Sequence, residues 1–324
     1  MKMKHYILGI DTSAYTTSIA VIDRESREVL ADKRRVLTVP LGEKGLRQQD
    51  AVFQHMRNFQ ELYSEIDIDF NSIKTVSVSS RPRNVEGSYM PVFTVGQNYG
   101  KIIAKSLNCE YVEYSHQENH IAASLIYDYK TIHNNVLAIH ISGGTTEFLE
   151  VKKASKGYDA VISGGSMDIT FGQLIDRIGA LLGFQFPCGV HMEKYLNENN
   201  NIQRITTPKI SGDAYINLSG MENYFTNLYT SGKYNKESII NLLFTYVSDC
   251  IIHIINEIKS SFYIETIIIA GGVASNTLIR ERILNNLNDK YNIILPTKEN
   301  ASDNAVGTAF LPIIDRWYDE TKAD

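Results

Sequence analysis

The sequence predicts an α/β protein built from two copies of one architecture. A strand–turn–strand unit with a small polar tip occurs at residues 6–22 and again at residues 136–151. Further strands and helices follow each unit in a similar order. The 324 residues suit about two domains. We therefore predict two lobes, residues 1–130 and residues 131–324, with a ligand cleft between them.

The first copy is predicted to contain three strands, a helix, a strand and a helix. These elements occupy residues 6–10, 17–22, 28–39, 48–66, 75–78 and 91–107. The strands are short apolar runs, whereas the first helix has apolar residues spaced by three or four positions. This order is half of a duplicated fold.

The second copy begins with the same strand–turn–strand unit. Its predicted elements occupy residues 136–141, 146–151, 160–163, 167–182, 236–259, 266–270 and 276–286, and a last helix starts near Asp303. The run at 266–270 is very apolar, as a parallel strand buried on both faces requires. It ends in Gly271-Gly272, which by itself also fits an ordinary strand-to-helix turn.

Composition and cysteine spacing exclude several kinds of protein. Hydrophobic residues make up 43% of the chain and charged residues 21%, as in ordinary globular domains. Cys109, Cys188 and Cys250 lack CxxC spacing, which argues against a disulfide framework or a cysteine zinc site and fits a reducing cytosol. We therefore expect a cytoplasmic protein.

Charge and hydropathy limit the partners. A net charge of −5 does not suit a surface that binds nucleic acid unaided, so an RNA substrate would need a local basic patch or a partner subunit. The apolar helix near residues 238–259 is interrupted by Ser248, Asp249, His253 and Asn256. We therefore expect a core helix rather than a membrane span.

Two histidines and a distant aspartate form a candidate metal site. His116 and His120 stand four residues apart, so on a helix they share one face and could bind one cation. Asp303, beside a predicted helix start, could complete a site that suits Fe(II) or Zn(II). The pair alone also fits two surface histidines on an amphipathic helix. A zincin protease is disfavoured, because Gln117 follows the first histidine and Glu118 is turned by about 100°.

The tip of the second strand–turn–strand unit reads Ser142-Gly143-Gly144-Thr145. Backbone N–H groups in such turns form concavities that bind anions, and glycine lets a phosphate come close to the backbone. The tip is therefore a candidate phosphate site. Taken alone, its two glycines also fit a simple tight hairpin.

Seven short segments occur in the order of a known family. They lie at residues 9–13, 116–120, 141–144, 176–177 leading to 187–189, 218–220, 271–276 and 302–304. On these segments the chain resembles the tRNA N6-adenosine threonylcarbamoyltransferases, members of the superfamily of actin, hexokinase and heat-shock ATPases. The resemblance covers about residues 6–310 and implies two duplicated actin-like, ribonuclease H-like lobes.

The resemblance also implies roles for individual residues. His116, His120 and Asp303 match the family's metal ligands, for one divalent ion of Fe or Zn. The adenine nucleotide, which is threonylcarbamoyl-AMP, AMP or ATP, would be bound by Asp11, Thr12, Ser13, Asp176, Gly189, Gly271, Gly272 and Asn276. Among these, Asp176 would contact the ribose and Asn276 the adenosine. The predicted catalytic residues, beside the phosphate and the acyl group, are Ser142, Gly143, Gly144 and Thr145.

The chain departs from the family pattern at five places. The replacements are Ala14-Tyr15-Thr16 for Cys-Asp-Glu, Arg81-Pro82-Arg83 for Gly-Pro-Gly, Thr145 for a histidine, Cys188 for a glycine and Glu222 for a lysine. These positions cluster where acyl transfer and acceptor binding would occur, whereas the metal and nucleoside positions are retained.

Three functions therefore remain open. The leading one is transfer of a threonylcarbamoyl group from threonylcarbamoyl-AMP to the N6 amine of the adenosine next to the tRNA anticodon, with metal assistance. The second is a regulatory paralogue that binds an adenine nucleotide and a metal. The third is a carbamoyltransferase with another acceptor. The resemblance also implies protein partners, namely a paralogous subunit and an ATPase, and no membrane.

Overall fold

The computed structural model describes residues 4–13, 15–39, 46–126, 136–198, 201–261 and 263–323. The strands are β1 (Tyr6–Asp11), β2 (Thr16–Asp23), β3 (Val29–Val36), β4 (Ile73–Arg81), β5 (Glu110–Ser115), β6 (Val136–Ile141), β7 (Thr146–Lys153), β8 (Tyr158–Ser166), β9 (Tyr215–Ile216), β10 (Thr266–Ala270) and β11 (Asn292–Ile294). The helices are α1 (Gln48–Ser64), α2 (Phe93–Leu107), α3 (His116–Leu125), α4 (Phe171–Leu181), α5 (Cys188–Glu198), α6 (Ser219–Thr230), α7 (Lys236–Glu257), α8 (Thr277–Leu287), α9 (Lys298–Ala301) and α10 (Val306–Ala323).

The chain divides into two compact units that are not continuous in sequence. The first comprises Met1–His133, Lys153–Asp159 and Asp303–Asp324, and the second comprises Asn134–Lys152 and Ala160–Ser302. The sequence prediction of lobes at 1–130 and 131–324 assigned α10 to the second lobe. In the structure α10 packs on β1, β2, β4 and α3, so it lies in the first unit.

The first unit is organised around a five-stranded sheet with strand order β3-β2-β1-β4-β5. β1 pairs antiparallel with β2 and parallel with β4, and β4 pairs parallel with β5. The carboxyl ends of β1, β4 and β5 therefore lie at one edge of the sheet. Asp11 ends β1 and Ser115 ends β5 directly before α3, so this edge collects polar side chains from distant parts of the chain.

The second unit repeats the same topology. Its sheet has the order β11-β10-β6-β7-β8-β9. Strands β8, β7, β6, β10 and β11 occupy the places that β3, β2, β1, β4 and β5 have in the first sheet. β6 pairs antiparallel with β7 and parallel with β10. All five residues of β10 are buried, as expected for an apolar strand between two parallel neighbours. The predicted duplicated α/β fold is confirmed.

The long apolar helix α7 belongs to the core of the second unit. By length and composition it could cross a membrane, but 72% of its most apolar 18-residue window is buried inside the protein. Ile239, Leu243, Val247 and Ile254 have no exposed surface. The helix buries almost its whole circumference, which is the arrangement expected of a core helix.

Candidate functional site

The first unit brings together the three side chains that the sequence predicted as metal ligands. His116 and His120 lie on α3, and Asp303 lies just before α10. The His120 Nε2 atom is 3.0 Å from His116 Nε2 and 3.4 Å from Asp303 Oδ1, and His116 Nε2 is 3.7 Å from the same oxygen. Ligands about 2.0–2.1 Å from a tetrahedral zinc are about 3.3 Å apart, so the three atoms fit one such ion.

The helix that presents both histidines on one face starts at a capped position. Ser115 caps the helix, and Glu118 completes a capping box by accepting from the Ser115 N–H and hydroxyl through its Oε2 atom at 2.7 Å. The other Glu118 oxygen accepts from the Tyr158 N–H at 2.9 Å. Glu118 is therefore occupied in fixing α3, which agrees with the sequence argument against a zincin mechanism.

Asp11 orients His116. Its Oδ2 atom lies 2.8 Å from His116 Nδ1, and its Oδ1 atom accepts from the Ser13 N–H at 2.8 Å. The carboxylate is completely buried. A carboxylate on Nδ1 fixes the ring and leaves Nε2 facing the other two candidate ligands, which is the usual support of a metal-binding histidine. The role of Asp11 in nucleotide binding remains a prediction.

Burial and mutual charge set the protonation of this cluster. Burial alone would lower the pKa of His116, but the charge and hydrogen bond of Asp11 outweigh it and raise the pKa to about 8. Burial, together with the charge of His116, lowers the pKa of His120. Burial would raise the pKa of Asp303, but the His120 hydrogen bond and both imidazole charges hold it below its ordinary value. At neutral pH the cluster thus offers a carboxylate, a neutral imidazole and an imidazole that must release a proton to bind a cation.

The first hairpin tip is folded into the interior of its own unit. Thr12 donates its hydroxyl hydrogen to the Val92 carbonyl at 2.9 Å and accepts from the Gly96 N–H at 3.1 Å. Thr12 and Ser13 are buried. The structure uses the Thr12 hydroxyl for contacts within the unit. Nucleotide binding by Thr12 and Ser13 remains a prediction.

The second hairpin tip is open to solvent. Ser142 and Thr145 close it through an N–H···O bond of 2.9 Å, and Gly143 and Gly144 are exposed. The start of α4 packs behind the tip, where Thr170 donates to the Gly143 carbonyl at 2.9 Å. The backbone of the tip is therefore held from behind while its outer side is accessible.

The predicted ribose residue Asp176 lies on α4 beside the start of α5. Its Oδ1 atom accepts from the Cys188 N–H at 2.8 Å. Burial raises the pKa of Asp176. Gly189 is the next residue of α5, so Asp176 lies beside the helix start that carries Gly189, and their role in nucleotide binding remains a prediction.

The predicted adenosine residue Asn276 also caps a helix. Its Oδ1 atom accepts from the Ile279 N–H at 3.1 Å, and its amide donates to Glu193 at 3.3 Å. Gly271 precedes it in a turn with φ of +98°, pressed against the end of β6 so closely that a Cβ would lie 2.2 Å from the Ile141 carbonyl oxygen. Because β10 and β6 are parallel, the Gly271 turn and the tip that follows Ile141 lie at the same edge of the sheet.

Comparison with known proteins decides the family. The family model for TsaD, tRNA N6-adenosine threonylcarbamoyltransferase, matches residues 49–310. The chain belongs to this family.

Curated members of the threonylcarbamoyltransferase family match nearly the whole chain at low identity. The protein of Malacoplasma penetrans is 26% identical over 94% of this chain and 97% of its own length. That of Streptococcus pneumoniae is 25% identical over 98% of this chain and 94% of its own length. Both are named tRNA N6-adenosine threonylcarbamoyltransferase.

Solved structures show the fold. The activator of 2-hydroxyisocaproyl-CoA dehydratase from Clostridium difficile, with bound ADPNP, aligns at a TM-score of 0.56 and 15% identity over 98% of both chains. HypF from T. kodakarensis aligns at 0.59 and 13% identity over 98% of this chain and 48% of its own. These are actin-like ATPase folds, which confirms the predicted fold class.

Two of the departures from the threonylcarbamoyltransferase pattern have local structural partners. Cys188 is buried, and its side chain fills the space beside Gly179, where a Cβ would lie 2.8 Å from the cysteine sulfur. Glu222 accepts from Arg177 at 2.6 Å in an exposed ion pair. Each replacement is thus accommodated within the second unit. Ala14 lies outside the described residues.

Sequence reasoning did not single out Glu193 or Asn119 as site residues. Glu193 accepts from the Thr277 N–H at 2.9 Å as well as from Asn276, so it joins α5 to the start of α8. Asn119 lies between the two histidines and contacts Asp11 at 3.0 Å. The available signal for Asn119 was its place on the same predicted helix as the two histidines, directly before His120.

Proposed function

We propose that this chain transfers the threonylcarbamoyl group from threonylcarbamoyl-AMP to the N6 amine of the adenosine next to a tRNA anticodon. Membership of the threonylcarbamoyltransferase family supports tRNA as the class of acceptor. The observation that carries the proposal for this chain is the convergence of His116, His120 and Asp303, whose candidate ligand atoms lie within 4.8 Å of one another.

At the carbamoyl carbon, the transfer makes one bond and breaks another. The N6 nitrogen attacks the carbamoyl carbon, the bond from that carbon to the phosphate oxygen breaks, and AMP leaves. An N–H bond of the N6 amine also breaks, and its proton passes to water. Negative charge develops on the carbamoyl oxygen and on the departing phosphate, so the reaction needs groups that stabilise an anion.

The first unit is proposed to supply the metal site. His116, His120 and Asp303 would hold one Fe or Zn ion, with Asp11 keeping the proton of His116 on Nδ1. When bound, such an ion acts as a Lewis acid toward oxygen atoms of the substrate. Two imidazoles and one carboxylate leave coordination positions for those oxygens.

The second unit is proposed to supply the nucleotide contacts. The N–H groups of the exposed tip, residues 142–145, would stabilise the developing negative charge. Asp176 would accept from ribose hydroxyls through its second oxygen, and Asn276, with Gly271 and Gly272, would contact the adenosine. We further propose a cytoplasmic protein that works with a paralogous subunit and an ATPase.

The departures support a second candidate function. Glu222, in place of a lysine, is paired with Arg177, and Thr145 stands in place of a histidine, so the second unit has fewer groups that favour an anion. A regulatory paralogue would retain AMP or ATP binding without turnover, and a carbamoyltransferase with another acceptor would form a different product.

One assay separates these functions. Full-length chain, threonylcarbamoyl-AMP and unmodified tRNA are incubated with and without the family's partner proteins, and modified adenosine is measured by mass spectrometry. Transfer that is lost in His116→Ala, His120→Ala and Asp303→Ala but kept in His253→Ala, a histidine of α7, supports the proposal. Nucleotide binding without transfer would support the regulatory function instead, and a carbamoylated small amine the third.

A further inference from the structure

Asn119 is completely buried and lies on α3, three residues after His116 and directly before His120. We propose that Asn119 is a positioning residue that sets the distance between Asp303 and the histidine pair. This inference rests on the proposed metal site, and it assigns to Asn119 a function that the ligand motif alone does not require.

The amide of Asn119 joins three parts of the first unit. Its Nδ2 atom donates to Asp11 Oδ2 at 3.0 Å and to the Asn304 carbonyl at 2.5 Å. Its Oδ1 atom accepts from the Thr308 N–H at 2.7 Å. Both amide hydrogens and the carbonyl oxygen are therefore used. The partners belong to β1 and to the start of α10, which follows the candidate ligand Asp303.

The backbones of α3 and α10 touch at the same point. A Cβ on Gly307 would lie 2.0 Å from the Asn119 carbonyl oxygen and 2.6 Å from the Ala123 nitrogen. Gly307 is therefore needed for α10 to reach α3, and the Asn119 side chain bonds to the residues on both sides of this contact. Asp303 is brought to the histidines by this crossing.

Other hydrogen bonds hold α10 on the sheet but not on α3. Ser77 donates to the Thr308 carbonyl at 2.6 Å, and Ser79 lies 2.8 Å from the Thr308 hydroxyl. Loss of Asn119 would leave these two contacts intact. We therefore expect α10 to stay on the sheet while α3 shifts, which would change the distances from Asp303 to His116 and His120.

Asn119 also acts on the orientation of His116. The Asp11 oxygen that receives the Asn119 amide is the same oxygen that binds His116 Nδ1 at 2.8 Å. Asn119→Asp keeps the shape of the side chain but replaces the donating Nδ2 atom with a carboxylate oxygen. That oxygen would face two acceptors, Asp11 Oδ2 and the Asn304 carbonyl. Asn119→Ala removes the contacts without adding a charge.

The test is a titration of the full-length, metal-free chain with Co²⁺, followed by the visible ligand-field absorption of the bound ion. Loss of a residue that orients metal ligands costs about 10–100-fold in affinity, so we expect weakening in that range for Asn119→Ala and at least as much for Asn119→Asp. The absorption spectrum of the remaining bound Co²⁺ should change as well, which a general loss of stability would not produce.

Matched controls come from α1 of the same unit. Asn58 is also a buried asparagine, and its amide lies 3.5 Å from the Thr17 hydroxyl, away from the cluster. Asn58→Ala and Asn58→Asp should bind Co²⁺ like the unchanged chain, with the same spectrum. Gly307→Ala is an independent variant that separates α3 from α10 while keeping Asn119, and it should also weaken binding.

The outcomes separate the positioning role of Asn119 from the proposed metal site. Unchanged Co²⁺ affinity and spectrum in folded Asn119→Ala overturn the positioning role while leaving the proposed metal site standing. Equal weakening in the Asn58 variants also overturns it, because the effect would then be general. If the unchanged chain binds no Co²⁺, both this inference and the metal part of the proposed function fail. Should Asn119→Ala fail to fold, an unchanged Co²⁺ affinity and spectrum in folded Asn119→Asp are sufficient to overturn the role.

Discussion

The two hairpin tips of this chain occupy equivalent places in duplicated sheets but have opposite burial. Asp11, Thr12 and Ser13, at the end of β1, are almost completely buried, whereas Gly143 and Gly144, after β6, are exposed. The side chains of Asp11 and Thr12 bond within the first unit. The outer side of the second tip is open to solvent. One topology thus provides an internal support in one copy and an accessible backbone surface in the other.

Under the proposed function, the two copies have different roles. Substitution of Asp11 at the buried tip should change stability and metal binding together, because its carboxylate bonds to His116. Substitutions at the exposed tip should change ligand binding with little effect on stability. The following four predictions test that contrast, from the largest expected effect to the smallest.

The largest effect is expected at Gly271, behind the exposed tip. Gly271→Ala would combine a positive φ of +98° with a Cβ only 2.2 Å from a backbone oxygen of β6. Strain of this kind costs about 1–3 kcal/mol from the backbone alone, and the contact adds to it, so we expect a loss of at least about 3 kcal/mol in chemical denaturation. A change below about 1 kcal/mol would show that the turn is not fixed by β6.

Asp11→Asn tests the buried tip. In the metal-free chain His116 has a pKa of about 8 against an ordinary value of 6.5, so its contribution to stability is complete below about pH 6.5 and is lost as pH rises through 8. The shift corresponds to about 2 kcal/mol. In Asp11→Asn this part of the pH dependence should disappear, and Co²⁺ affinity should fall about 10–100-fold. An unchanged pH profile of the unfolding free energy would contradict the role assigned to Asp11.

Glu222→Lys introduces the cation that the family resemblance implies at this place. The change removes an exposed ion pair with Arg177, which is worth about 0–1 kcal/mol, so the melting temperature should move little. Affinity for AMP should rise, and the gain should shrink as salt is added because exposed charges are screened. Equal AMP affinity at low salt for both chains would place residue 222 away from the nucleotide.

The smallest effect on stability is expected at the exposed tip itself. A Cβ on Gly143 or Gly144 would meet no atom within 4 Å, so alanine at either place should change the unfolding free energy by less than about 0.5 kcal/mol. AMP binding, measured by calorimetry, should nevertheless weaken, because the methyl group would keep a phosphate from the backbone. Normal AMP binding in both variants would remove the tip from the nucleotide site.

Much of the fold could be predicted because its strands are apolar and its hairpins local. The runs at β6, β7 and β10 were identified to within two residues. β5 was missed because Glu110 and Glu113 interrupt its apolar run. β9 and β11 have only two and three residues, which is too short to show the alternation of apolar and polar side chains typical of a strand. The prediction of a helix from residue 167 was wrong at its start, since Thr170 caps α4 and the helix begins at Phe171.

The site was predictable where its residues share one helix. The spacing of His116 and His120 was enough to place both on one face of α3. Asp303 was a candidate only through its place beside a predicted helix start and through the family resemblance, and Asn119 was not predicted at all. Their roles depend on the contact between α3 and α10, which joins residues far apart in the chain. The local spacing of apolar residues predicts helices and strands but not contacts of this kind.

Because α10 belongs to the first unit but follows the second unit in sequence, the candidate metal site cannot be assembled until late in synthesis. The histidines belong to a part of the chain translated before the second unit, whereas Asp303 and α10 are translated after it. While Asp303 and α10 are still held in the ribosome, the histidine pair can already lie outside it, so one of the three candidate ligands is missing until the chain is released. If the candidate site binds a cation, we expect all three ligands to be available to it only after Asp303 and α10 have been synthesised.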